Sequence, residues 1–384
     1  MNIHDLPTPS LLLDLVILQG NLETMAEKAS SLGVSLRPHI KTHKCLEIAR
    51  MQQERGARGI TVSTLVEART FADAGFDDIT YAFPLDSGKI SQSLDLSERV
   101  TLRLVVDDLA TAAALETAAA GRDQAAAVGR DQAVPVWLKV DCGLHRAGVD
   151  PTSDYAVRLA RFLHEAPHLI FDGLLTHAGQ AYKVTSREEV LNIADQERDI
   201  MVAFAERLRS EGVAVPTVSV GSTPTMSVVQ HLEGVQEMRP GNYVFHDRAQ
   251  VALGSCDFAD CAVTVLTAVV SHQPGSSHVV VDAGALAMSH DPGPVQLDSV
   301  PGKGAVVTEA NPLAIHPSLL LVSLSQEHGI IQGTGPKDLA GLEVGSRVRI
   351  LPNHACLTVA LFDEYAVVKG EEVVDHWKIR RDRS

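Results

Sequence analysis

Through the first two thirds of the chain, short runs of Val, Ile and Leu alternate with longer segments in which apolar residues recur every three or four positions. The runs are Val34–Lys41, Gly59–Thr64, Asp78–Phe83, Thr101–Val106, Val134–Val140, Leu169–Thr176, Val215–Val220 and Gln236–Phe245. Strands rich in apolar residues, separated by amphipathic helices, predict a parallel sheet covered on both faces. Segments such as Leu65–Ala74, Leu109–Ala120 and Arg187–Arg209 carry the helical spacing between them. Eight such repeats fit a (β/α)8 barrel, for which roughly 250 residues is typical. An open doubly wound sheet needs the same alternation, but no Gly-x-Gly-x-x-Gly follows the first run. The pattern predicts an α/β chain with an N-terminal (β/α)8 TIM barrel over residues 10–250.

Beyond about residue 250 the texture changes. Cys261–Ser271, His278–Asp282, Ser318–Ser323 and Ser346–Leu351 are separated by Gly and Pro turns with no helical period between them. They predict a C-terminal antiparallel β domain over residues 251–384, joined by residues 1–9. The stretch Gly121–Ala133 repeats GRDQA and reads as a surface-loop insertion.

Composition narrows the functional classes. Apolar residues make up 45% and charged residues 21%, as in a packed globular protein. A net charge of −15 argues against a nucleic-acid partner, which needs a basic surface. No run approaches the ~18–20 apolar residues of a membrane span. The start MNIHDLPTPSLLLD lacks the basic and apolar regions of a signal peptide. The five cysteines, at 45, 142, 256, 261 and 356, form no CxxC pair, as expected in a reducing compartment. A cytoplasmic protein is expected.

In a parallel barrel, catalytic groups sit where strands end and βα loops begin. Those ends carry Arg37-Pro38-His39-Ile40-Lys41, Asp141-Cys142-Gly143-Leu144-His145-Arg146, Thr176-His177-Ala178-Gly179-Gln180-Ala181-Tyr182, Gly221-Ser222-Thr223-Pro224-Thr225 and Arg239-Pro240-Gly241-Asn242-Tyr243. Lys41, within an apolar strand, is expected to be desolvated, which lowers an amine's pKa toward nucleophilic use. His39 and His43 flank it. Gly221–Thr225, completed by Gly241 and Asn242, offers backbone N–H groups and hydroxyls suited to a phosphate monoester. A strand-end lysine with a phosphate loop is the combination expected of pyridoxal 5'-phosphate (PLP). Arg146 and Tyr182 would face its ring. In the C-terminal part, His354 and Cys356 point to one side if the segment is an extended strand, and imidazole with thiolate suits Zn²⁺. Mn²⁺ or Co²⁺ could serve at so few protein ligands. Gln326-Glu327-His328-Gly329 could approach the same place. Each feature also has an ordinary reading, as a solvent-reaching lysine, a common turn, or a small buried Cys beside a packed His.

Taken together, RPHIKTHKCLEIARMQQERGARGITVSTLVEARTFADAGFDDITYA, DCGLHRAGV, LTHAGQAY, SVGSTPT, RPGNYVF and PNHAC resemble the D-serine dehydratase and D-threonine aldolase group of PLP enzymes. The resemblance runs from Thr8 to about Trp377. It implies an alanine-racemase type of fold and a homodimer. It also implies Lys41 as the Schiff-base lysine of an H-x-K-T motif and phosphate contacts at Ser222, Thr223, Gly241 and Asn242, with Tyr243 beside them. Ring contacts from Arg146 and Tyr182 and a metal at His354 and Cys356 complete the implied site. Aldolase members resemble His-x-Asp followed by Pro-Thr, whereas dehydratases resemble His-x-Cys, as His-Ala-Cys does here. Leu357-Thr358-Val359 departs from the Ala-Thr of close dehydratases. The implied activity is elimination of water from a β-hydroxy D-amino acid. D-serine would yield pyruvate, and D-threo-3-hydroxyaspartate would yield oxaloacetate, each with ammonia. Retro-aldol cleavage to glycine and an aldehyde uses the same residue set, and a non-catalytic PLP carrier is the alternative outside enzymes.

Overall fold

The structure, a computed structural model, describes residues 1–125, 133–293, 302–310 and 313–381. Its first strand, Ser10–Asp14 (β1), lies on the residue-10 side assigned above to the barrel, yet it pairs in the second sheet, with Val263–Ser271 and Glu364–Lys369. Asp14 ends that strand and caps the helix Leu15–Ser31, its Oδ1 accepting from the N–H groups of Val16 and Ile17.

Eight parallel strands follow. They are Ser35–Leu36 (β2), Ile60–Val62 (β3), Asp78–Pro84 (β4), Thr101–Val106 (β5), Val134–Lys139 (β6), Leu169–Leu175 (β7), Thr217–Val220 (β8) and Glu237–Met238 (β9). Their order is β2-β9-β8-β7-β6-β5-β4-β3. A parallel bridge between His39 and Thr61 joins the two ends of that order, so the sheet curls into the expected barrel. Each apolar run of the sequence supplies one strand. The first and eighth are much shorter than their runs, because Pro38 and Pro240 cannot donate to a ladder. After each proline the chain turns into a 3-10 segment, Ile40–Thr42 and Asn242–Val244. These two turns build the floor of the site.

Helices lie where their periodicity predicts them, at Leu65–Asp73, Leu109–Ala125 and Arg187–Ser210. Thr64 and Glu67 form a capping box on the first of these, and Ser186 caps the third. The first copy of the GRDQA repeat continues the Leu109–Ala125 helix, as an Ala-rich stretch readily does. The remainder, residues 126–132, lies outside the described residues.

The inside of the barrel is held by charge as well as by apolar packing. Arg37, 2% exposed, donates from Nε to Glu237 Oε2 at 2.6 Å and from Nη1 to Asp78 Oδ1 at 2.5 Å. Asp78 also accepts from Arg103, whose Nε donates to Asp172 Oδ2 at 2.7 Å. Glu237 Oε1 accepts from Ser219 Oγ at 2.6 Å. This chain of alternating charges ties strands β4, β5, β7, β8 and β9 to the end of β2.

The second sheet has nine strands. With β1 it contains Val263–Ser271 (β10), His278–Val281 (β11), Gly304–Ala310 (β12), Leu313–Leu324 (β13), Gly329–Gln332 (β14), Arg347–Pro352 (β15), Glu364–Lys369 (β16) and Glu372–Lys378 (β17). Their order is β11-β14-β13-β12-β15-β10-β1-β16-β17. The expectation of a purely antiparallel domain needs correcting, since β1 runs parallel to β16. The parallel pair arises because β1 comes from the far end of the chain and needs no hairpin to reach its partner. One apolar cluster spans both sheets, from Ile60, Leu104 and Leu174 in the barrel to Val265 and Ile350 in β10 and β15. Among the described residues no helix is long and apolar enough to cross a membrane.

Candidate active site

The site forms where the two proline-ended strands turn. Lys41 does not lie inside an apolar strand, as its run suggests. It lies in the 3-10 turn after β2, and its side chain is exposed. The turn is fixed by His39, whose Nδ1 accepts from the Lys41 N–H at 3.4 Å, and the Lys41 ammonium has no carboxylate partner among the described residues. The neighbouring turn packs directly against it. A Cβ on Gly241 would lie 2.9 Å from His39 O and 3.1 Å from Thr42 Oγ1, so only glycine permits this approach.

The loop after β8 is built for the same spot. Ser222 caps the short helix Thr223–Val228, exchanging bonds with Thr225 in a capping box. Gly221 adopts φ +113°, open to glycine alone. Glu197, buried on the long Arg187–Ser210 helix, accepts at Oε1 from the N–H of Ala178 at 3.1 Å and of Gly221 at 3.0 Å. Its Oε2 accepts from Thr225 Oγ1 at 3.4 Å. One carboxylate therefore pins the loops after β7 and β8 together. The N–H groups of Thr223, Gly241 and Asn242 donate to no acceptor among the described residues. Three free donors among small residues fit a phosphate monoester.

Of the residues read from the sequence, Tyr243 contributes differently than expected. Its ring is 1% exposed within the core and its hydroxyl accepts from Gln52 Nε2 at 2.9 Å. Its N–H donates to Thr223 Oγ1 at 3.1 Å, joining the two loops through the backbone. Arg146 is exposed at the end of the loop after β6. Tyr182 is half-buried, close enough to Cys356 and Asp247 that burial and their charge hold its phenol well above the ordinary range.

His354 and Cys356 do come together, but not by strand alternation. Strand β15 ends at Pro352, and His354 stands at the N-cap position of the helical turn Ala355–Val359 that carries Cys356. The first turn of a helix folds back on its cap, and this brings the imidazole and thiol within hydrogen-bonding reach. Burial opposes charge on both groups. Even so, the neighbouring Cys356 and the hydrogen bond that Asp291 accepts raise His354 to about 11, and His354 lowers Cys356. The His354 Nδ1–H donates to Asp291 Oδ2 at 3.1 Å, which leaves Nε2 outside that bond. Cys356 Sγ lies 3.4 Å from Thr42 Oγ1, next to Lys41. Asp247 ties the two halves, accepting from Asn242 Nδ2 at 2.7 Å and from the Ala355 N–H at 2.9 Å. An imidazole, a thiol drawn toward thiolate, and no third His, Cys, Asp or Glu in a ligating group among the described residues make an open donor set. Gln326-Glu327-His328 lie in the exposed turn between β13 and β14 and pack on Gly284; no bond joins them to the pair among the described residues.

The structure adds residues that the sequence reading passed over. Lys139, at the end of β6, is buried, and burial reinforced by Arg239 lowers it to about 7. Arg239 is itself buried and brought down to about 10, donating to Ser219 Oγ and Thr176 O. Burial, with Lys41 and Arg239 nearby, keeps His39 neutral; burial and Lys139 do the same for His177. The available signal was a lysine inside VWLKV, the desolvated placement expected of Lys41. Asp247 and Asp291 carried no signal, since both are brought in from loops.

Comparison with known proteins agrees with this architecture. Residues 13–249 match the family described as alanine racemase, N-terminal domain, and residues 262–368 match the putative serine dehydratase domain. The chain is 39% identical over 379 residues to the D-threo-3-hydroxyaspartate dehydratase of Delftia sp. (strain HT23), covering 97% of each chain. It is 35% identical over 396 residues to the D-serine dehydratase of Dictyostelium discoideum, covering 98% of this chain and 97% of the other. A solved structure of a cysteine-to-alanine mutant of D-threo-3-hydroxyaspartate dehydratase, in the metal-free form, superposes with a TM-score of 0.91 at 35% identity and covers 100% of both chains. The chain therefore belongs to the alanine racemase N-terminal domain family, in the branch whose barrel is followed by a serine dehydratase domain.

Proposed function

We propose that the protein is a PLP- and metal-dependent lyase that eliminates water from a β-hydroxy D-amino acid, D-threo-3-hydroxyaspartate or D-serine, to give a 2-oxo acid and ammonia. The observation that carries this reading is the meeting of Cys356 with Thr42, which sets the His354 and Cys356 side chains beside Lys41. Identities of 39% and 35% to dehydratases of these two substrates support the same choice.

In this reading Lys41 holds the cofactor's aldehyde carbon, and the N–H groups of Thr223, Gly241 and Asn242, with the Ser222 and Thr223 hydroxyls, hold its phosphate. Arg146 and Tyr182 border its ring, and Tyr243 braces the phosphate loops through its backbone. When bound, the cofactor supplies an electron sink for negative charge at the substrate's Cα. A metal at His354 and Cys356, for which we propose zinc, supplies a Lewis acid for the departing hydroxyl. With the cofactor bound, Lys41 Nζ would be the group placed to take the Cα proton. His39 on the Lys41 turn and His177 in the loop after β7 are both kept neutral by burial, so neither competes with Lys41 as an acid. Asp291 fixes the tautomer and orientation of His354. The barrel, from the end of β1 to about residue 250, would carry the cofactor, and residues 251–384 with the N-terminal segment the metal. Five free cysteines suit a cytoplasmic setting, and the functional unit is proposed to be a homodimer.

Incubating the holoenzyme with D-serine, D-threonine and D-threo-3-hydroxyaspartate separates the chemistries. Ammonia with oxo acid is expected; glycine with an aldehyde would mean Cα–Cβ cleavage instead. Lys41→Ala is expected to abolish turnover, and full activity in that variant would remove Lys41 from the mechanism. Chelation is expected to stop elimination while cofactor absorbance persists.

A further inference from the structure

A cavity of about 340 Å³ lies on the second sheet, among β10, β12, β13 and β15, the 3-10 turn Ile3–Asp5 and the 3-10 segment Pro336–Leu339. It contains none of the residues of the active site. Its size falls at the lower end of the range for small-molecule sites. Arg347 and Arg349, two apart on β15, reach it together, as do His4 and His316. Leu266 and Leu319 supply apolar wall.

The two guanidiniums are the unusual feature. Arg349 is 9% exposed and donates from Nε and Nη2 to one hydroxyl, Thr264 Oγ1, at 3.1 and 2.9 Å. Its Nη1 is buried without a partner, and so is Nη1 of Arg347. Neither arginine forms an ion pair among the described residues, in a chain whose net charge is −15.

The carboxylates nearby make their bonds elsewhere, and Asp14 and Glu371 attract Arg349 only through space, without offsetting its burial. Asp14 caps its helix, and Asp338 accepts from Thr334 Oγ1 at 2.6 Å and from the Gly335 N–H at 3.1 Å. Glu371 is 64% exposed and faces His4 at 3.9 Å. His316 Nδ1 accepts from the Ser318 N–H at 3.1 Å, so its proton is carried on Nε2 as a further donor.

Holding one buried guanidinium beside a half-buried one, each with an unpartnered Nη1 and no carboxylate in ion-pair contact, is costly unless a ligand supplies the negative charge. We propose that this cavity binds a small dianion with an organic body, a phosphomonoester or a dicarboxylate, gripped by Arg347 and Arg349. The guanidinium forks suit the bidentate geometry of either head group.

Calorimetric titration of the holoenzyme, whose cofactor site is filled, tests this with three probes: inorganic phosphate, glycerol 3-phosphate and malonate. Saturable one-site binding of at least one probe is expected, weakened at least tenfold by Arg347→Gln. Arg347 makes no side-chain hydrogen bond, so this variant is expected to fold and to retain turnover. Arg349→Lys keeps the charge but loses the fork, and is expected to weaken binding severalfold. Tighter binding of glycerol 3-phosphate than of malonate assigns a phosphate head group and the reverse a dicarboxylate; either supports the site. No saturable binding of any probe, or binding undiminished in both variants, overturns it.

Discussion

His43 shows how a single side chain sets a limit on the whole protein. It is fully buried beside Lys41, with Nδ1 accepting from the Cys45 N–H at 3.1 Å, and burial lowers it from 6.5 to about 3. Between those values the unfolded chain binds a proton that the folded chain refuses. Stability from this group is therefore intact above pH 6.5 and is lost as pH falls toward 3. His43→Asn keeps an acceptor for the Cys45 N–H and removes the titration. From pH 6.5 to about 4.5, urea unfolding of the variant should lose about 2 to 3 kcal/mol less than the wild type does. Equal losses would show that His43 titrates normally.

Asp291 is the other telling residue. Its carboxylate orients His354, and removing such a partner commonly weakens a metal site by about 10- to 100-fold. Asp291→Asn should show that loss in competition titration with a fluorescent chelator, with an unchanged circular dichroism spectrum. Neither residue's role could be read from the chain. His43 looks like a polar flank of Lys41 until its burial is known, and Asp291 stands 63 positions from the histidine it orients.

At the scale of elements, legibility followed burial. Strands β3 to β8 announce themselves as largely apolar runs, with the charged Asp78, Arg103, Lys139 and Asp172 set among them. The hairpin of β16 and β17 does not, because β17 is an edge strand whose exposed positions carry Glu, Asp, His and Lys. The prolines after β2 and β9 were visible, but that they hand over to 3-10 turns carrying the site was not. For the same reason the pairing of His354 with Cys356 was anticipated while its cause was misjudged, a helical turn in place of a strand. Long-range ties such as Glu197 leave no local signature at all. Glu197→Ala would strip the acceptor from two buried N–H groups, at a cost on the order of 2 to 5 kcal/mol. Glu197→Gln keeps a carbonyl oxygen in place and should lose less. Thermal unfolding of the two variants is expected to rank them in that order, and an equal loss would mean that charge, not hydrogen bonding, holds these loops.

For the molecule as a whole, the barrel's inner ion chain decides how its halves hold together. Arg37 stands at its centre. Burial opposes its charge, but Glu237 and Asp78 raise it above the ordinary arginine value. The same position closes the barrel, for the Arg58 N–H donates to Leu36 O and the Thr61 N–H to Pro38 O on either side of it. Replacing Arg37 by Met fills similar volume but leaves the Glu237 carboxylate buried without its cation. Breaking one side of a buried pair costs about 3 to 5 kcal/mol, whereas replacing both partners by apolar groups is often nearly neutral. Arg37→Met alone should therefore lower the urea midpoint strongly. Adding Glu237→Leu should recover part of the loss and not all, because Asp78 still depends on Arg103 alone and Ser219 Oγ loses its acceptor. If the double variant were as unstable as the single one, the charge chain would be contributing through geometry at the barrel seam and not through compensation of buried charge.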